Sequence, residues 1–180
     1  MSDKFRELIL HVCQRSEGDS NFGLTKLNKL LWFTDLAAFL SRGTSITGKQ
    51  YIKLPYGPVP ADYESTIKEM QSDHQLAERV ENRYGYPQRR LFALVEPNLD
   101  AFTADEIALV DGFIHRYWNR NGSEMSHMSH EFLGWQLAEI GEPIPFEVGF
   151  VVERPFLAAE EMAYAHTLTG LPEYVRCHGH

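Results

Sequence analysis

Apolar residues recur at helical spacing along most of the chain. Phe5, Leu8, Ile9, Val12 and Cys13 share one face of a first helix, with Ser2 as its N-cap and Gly18 at its end. A second helix is predicted from Thr25 to Ser41, and Gly43 sits just past it, where a left-handed C-terminal residue belongs. Its inner stripe is Leu27, Leu30, Leu31, Thr34, Ala38 and Phe39, and Leu36 and Leu40 widen it. So wide an apolar face places this helix at the centre of the core. KQYIKL, residues 49–54, reads as extended. PYGPVPADY, residues 55–63, then stops the helical pattern with three prolines, a glycine and two tyrosines. By itself that stretch predicts a rigid, exposed corner. Pro60 suits the first turn of a third helix, Ala61 to Gln71.

Further along, Arg79–Arg83 and Arg89–Val95 read as the strands of a hairpin turned by YGYPQ, with Pro97 closing it. Thr103 and Glu106 form a capping box for a helix reaching about Asn119, whose inner face is Ile107, Val110, Ile114 and Tyr117. Ser123 opens a short helix through Glu131. EPIPFEVGFVV reads as extended, and Leu157 to Thr167 as a last helix. The expected fold is mainly α (α+β): a single helical domain over residues 1–170 with a small antiparallel hairpin, then a tail, 171–180, expected to fray. The strand–helix alternation of a parallel sheet is missing.

Composition narrows the function classes. At 180 residues, 43% of them hydrophobic, the chain can bury a substantial core. Its formal net charge of −8 disfavours nucleic acid and suits a basic protein partner. The two cysteines, Cys13 and Cys177, are too few for a disulfide framework and fit a reducing cytoplasm. No signal peptide or membrane-length apolar run is visible.

Candidate chemistry is thin. His127 and His130 in MSHMSHEF share a helix face, and His115 is a conceivable third ligand of a metal-dependent hydrolase. The spacing H-x-x-H-E is not that of H-E-x-x-H, where the glutamate serves as base. Neither a G-x-S-x-G elbow nor a phosphate loop is present, so no catalytic residue and no cofactor is assigned. Lys26, Lys29, Arg89 and Arg90 are the basic residues a DNA-binding autorepressor would use, but ADYESTIKEMQ is acidic on balance where a recognition helix would be basic.

Four ordered segments carry a resemblance: KLNKLLWF (26–33), YGPVP (56–60), MSHMSHEFLGW (125–135) and IPFEV (144–148). Together they resemble the Panacea, or SocA-like, antitoxin domain of bacterial and phage toxin–antitoxin operons, over about residues 5–165. The family pattern falls on Lys26, Leu27, Lys29, Leu30, Leu31, Tyr56, Gly57, Pro58, His130 and Trp135. Two departures stand out: the run before the histidine is Met-rich, and Gly134 replaces a frequent proline before the tryptophan. The resemblance implies an antitoxin that binds a cognate toxin directly, and one characterised type hands its toxin to a cytoplasmic protease. It implies no catalytic residues. On this reading the motif residues are mostly interior, and the toxin-facing surface is acidic: Glu64, Glu69 and Asp73, with Glu160 and Glu161 on the last helix. The lysines are expected on the exposed face of helix two or capping a carbonyl, and Trp135 in the core.

Overall fold

A computed structural model describes residues 3–83 and 85–150. The predicted last helix, the tail and Glu160 and Glu161 lie outside the described residues. The elements in order are α1 (Lys4–Arg15), α2 (Leu24–Arg42), β1 (Tyr51–Leu54), β2 (Gly57–Pro60), α3 (Tyr63–Ser72), β3 (Leu76–Arg83), β4 (Tyr86–Ala93), α4 (Ala104–Arg116), α5 (Gly122–His130) and α6 (Leu133–Leu137). Two short 3-10 turns, Leu99–Ala101 and Phe146–Phe150, complete the described set. The fold is mainly α with two small antiparallel sheets, β1–β2 and β3–β4.

α2 organises the core. It packs against α1, α4, α5, β2, β4 and the Phe146–Phe150 turn. Its buried residues run nearly all the way round, from Lys26 through Leu40. A helix enclosed on every side has no solvent face, so its polar residues must find partners inside. Gly43 ends it at φ +78°, donating its N–H to Phe39 O. Asp35, fully buried, accepts from Ile46 N (2.8 Å), Thr47 N (2.9 Å), Thr47 Oγ1 and Tyr51 Oη (2.9 Å). One carboxylate thus folds the loop after α2 and sets the start of β1. Burial pushes its pKa upward, against those four hydrogen bonds.

Glu106 fixes α4. It closes the capping box with Thr103 and takes ion pairs from Lys4 (2.7 Å) and Arg42 (2.6 Å), tying α4 to α1 and to the end of α2. Met125, in the Met-rich run, is fully buried, so the run fills the core beneath α5. Gly134 has no room for a side chain: a Cβ there would lie 2.6 Å from Phe132 Cε1 and 3.1 Å from Pro145 O. The departure before Trp135 is therefore matched by a close approach of Phe132 and the 144–145 segment.

Several boundaries differ from the sequence expectation. Asp3, not Ser2, caps α1 by accepting from Phe5 N, and the helix stops at Arg15 rather than Gly18. Pro60 ends β2 instead of opening α3, because Tyr51 pairs with it and Ala61 N donates to Gln50 O. Asn121, not Ser123, caps α5 with its own capping box to Glu124. The predicted extended run after Gly141 contains a 3-10 turn at 146–150. The β3–β4 hairpin is longer than expected and pairs from Leu76↔Ala93 to Arg83↔Tyr86.

Candidate functional site

The nine-residue corner is a hairpin in its own right. β1 and β2 pair from Tyr51↔Pro60 to Leu54↔Gly57, leaving Pro55 and Tyr56 as the two-residue turn. Pro55 presets φ at the first turning position. Gly57 follows at φ +105°, a conformation glycine adopts without the clash a Cβ brings. The second edge of β1 is also held: Lys53 N donates to Glu142 O (2.9 Å), and Gly141 N to Lys53 O (2.8 Å).

Beneath the corner lies Lys29, 1% exposed. Its Nζ donates to Pro58 O at 3.0 Å and, among the described residues, makes no ion pair. Desolvation pulls its pKa down to about 7. Gly57 is what makes this possible. A Cβ at that position would collide with Ser129 Oγ and come within 2.6 Å of Lys29 Cε and 2.7 Å of Nζ. α5 holds the corner from the other side: Ser126 Oγ donates to Tyr56 O at 2.7 Å. With its own carbonyl and that of Pro58 both anchored, Tyr56 projects outward, 77% exposed.

Lys26, one turn earlier, has a different task. Its Nζ meets Asp19 at 2.5 Å and donates to the carbonyls of Tyr117 (2.6 Å), Trp118 (3.0 Å) and Arg120 (2.7 Å). A cation there satisfies carbonyls left open past the end of α4 and complements its dipole. Burial lowers its pKa, and Asp19 opposes that shift. Both motif lysines therefore cap carbonyls from inside, and neither lies on an exposed face. Leu27, Leu30 and Leu31 are core residues, fully buried.

His130 and Trp135 meet at the rim. Their rings stack with centres 3.9 Å apart and planes 10° from parallel, and Ser126 Oγ stands 3.5 Å from His130 Nε2. Lys53 Nζ sits 4.3 Å from the Trp135 ring centre. Trp135 is half-buried rather than a core anchor, because α6 lies along the surface and the 132 position carries the ring that reaches Trp32. Desolvation, then the charges of Lys29, His127 and Lys53, hold the His130 pKa below its usual value.

The other candidates scatter. His115 is exposed on α4, and among the described residues no three of His, Cys, Asp and Glu cluster as metal ligands. Arg90 is buried between Glu81 and Glu17 O, and both lysines are interior, so of the four expected basic residues Arg89 alone is exposed, and it pairs with Glu78. Glu64 and Glu69 are exposed on α3, with Asp73 at its end; Arg6 pairs with Asp73 and lies 3.9 Å from Glu69. Tyr63 is buried while Tyr56 is not, so only one corner tyrosine packs inside. Sequence reasoning missed Asp19, Asp35, Ser126 and Ser129. The signal available was an acid inside an otherwise apolar helix, and a pair of serines three residues apart on the inner side of MSHMSHEF.

Fold and site together define a helical scaffold that presents an aromatic corner fixed by interior polar contacts. The antitoxin SocA-like Panacea domain matches residues 27–136, and the chain belongs to that family. No curated protein and no solved structure matches it. Among the described residues no helix is long and apolar enough to cross a membrane.

Proposed function

We propose that the chain is the antitoxin of a toxin–antitoxin pair and neutralises its cognate toxin, the product of the adjacent gene, by direct contact in the cytoplasm. The observation that carries this reading is the family match across residues 27–136. The disposition of the motif supports it. Lys26, Leu27, Lys29, Leu30 and Leu31 lie in the interior, and Gly57 and Pro58 fix a corner, where an enzyme would set a nucleophile beside a base. The same contact serves a protease adaptor, which holds its client while a cytoplasmic protease engages it.

Glu64, Glu69 and Asp73 give this surface its acidic character and steer a basic toxin toward it; Glu160 and Glu161 add to that charge. Changing Glu64, Glu69 and Asp73 together to Lys lowers both affinity and salt sensitivity. Because Arg6 loses its partner in that variant, the unfolding midpoint is measured alongside. Co-expression with the adjacent gene tests the function itself. Growth is restored at roughly stoichiometric levels, and rescue that needs a protease-proficient host assigns the adaptor step. Rescue far below stoichiometry in a protease-deficient host rejects neutralisation by binding.

A further inference from the structure

Most cations among the described residues meet a carboxylate. Lys4 and Arg42 meet Glu106, Arg6 meets Asp73, Lys26 meets Asp19, Lys49 meets Asp62, Arg89 meets Glu78 and Arg90 meets Glu81. Around the corner this rule lapses. Lys29, Lys53, His127 and His130 lie together, and among the described residues none of them pairs with a carboxylate. Lys53 Nζ donates to the carbonyls of Ala138 (2.8 Å) and Gln136 (3.5 Å) and faces the Trp135 ring. The His127 and His130 ring centres are 6.3 Å apart. Desolvation, then the neighbouring Lys29, His127 and Lys53, lower the His130 pKa, which agrees with this arrangement. Among the described residues Lys53 and the two histidines meet no carboxylate, so an anion from outside would complement the Lys53 ammonium and favour the protonated form of the histidines.

The surroundings say which kind. Tyr56 is 77% exposed, Leu137 68% and Ile140 60%. A chain of contacts runs from Tyr56 to Ile140: Tyr56 O to Ser126 Oγ, Ser126 to His130, His130 to Trp135, Trp135 to Lys53, and Lys53 O to Gly141 N beside Ile140. A bare phosphate would answer the charge and leave the apolar side chains in water. A peptide carboxylate flanked by an apolar side chain answers both. The corner is also preorganised, so docking costs little ordering, and a fixed tyrosine is the residue type that dominates interface energetics.

We infer that this face, from Tyr56 across His130 and Trp135 to Lys53 and Ile140, binds a segment of the partner toxin that carries a carboxylate beside an apolar side chain. The inference rests on the toxin-binding reading above. The acids of α3 act at long range on basic parts of the toxin, and this face makes the close contact.

The test titrates the product of the adjacent gene, purified as an inactive variant, into the full chain by calorimetry. Tyr56→Ala and Lys53→Glu are each expected to weaken binding at least about tenfold with an unchanged unfolding midpoint, and Lys53→Arg to retain it. Tyr56 is exposed, so its variant decides the matter if Lys53→Glu alters the fold. Wild-type binding with undiminished affinity in both variants overturns this face and leaves the antitoxin reading standing. No binding by the wild-type chain overturns that reading and this inference with it.

Discussion

Gly57→Ala is the sharpest test of how the corner is built. Two costs arise from one methyl group. The first is backbone strain, because φ is +105° and a side chain there is held in a region L-residues rarely enter, at about 1–3 kcal/mol. The second is overpacking: the Cβ would meet Ser129 Oγ and lie 2.6 Å from Lys29 Cε, with a penalty of about 1–3 kcal/mol. The sum, about 2–6 kcal/mol, is a large share of the roughly 5–15 kcal/mol that holds a domain together. Urea unfolding followed by circular dichroism reads it as a lower midpoint at an unchanged slope. Adding Ser129→Ala to Gly57→Ala separates the terms, because it removes the clashing hydroxyl and leaves the strain. Measured against Ser129→Ala alone, part of the loss returns in the double variant, and the recovered part is the Ser129 share of the packing term, the Lys29 contact remaining. Gly57→Ala that unfolds within about 0.5 kcal/mol of wild type refutes the packing of Lys29 and Ser129 against the corner.

Lys29 makes stability depend on pH. Its folded pKa, about 7, lies below its unfolded value, so between about pH 7 and pH 10 the unfolded chain binds more protons and stability rises with pH, by at most about 1.4 kcal/mol per unit. Lys29→Met removes that component, so unfolding measured from pH 6 to pH 10 shows a smaller slope than wild type; equal slopes place the ammonium in water. Leu30→Ala and Trp135→Ala divide core from rim: the fully buried leucine loses about 2–5 kcal/mol. The half-buried tryptophan loses less, and its removal lets the His130 pKa climb toward the ordinary imidazole value in an NMR titration. A His130 titration unmoved by Trp135→Ala contradicts the stacked geometry.

The residue pattern alone located α1 to α5, because helical periodicity, caps and glycine stops are local, while the short α6 was not read from it. α2 ended at Gly43 as expected, Thr103 and Glu106 formed their capping box, and the β3–β4 hairpin formed in the expected region with a shorter turn and longer strands. The corner was legible as rigid, since proline and glycine restrict the backbone whatever surrounds them. Its second strand was not. β2 exists because Tyr51 and Ile52 lie opposite Pro60 and Val59, a register the chain reaches only on folding. The same holds for the lysines. Spacing places Lys26 and Lys29 on one helix, but only the elements packed around α2 decide that both are interior, one meeting carbonyls past the end of α4 with Asp19, the other Pro58 O alone. Sequence separation hides such pairs: Lys29 and Ser129 are far apart along the chain and share the space that Gly57 leaves free. Burial of a charge depends on what closes over it, and the closing groups here come from distant elements, so tertiary structure decided both the corner and the burial of the lysines beneath it.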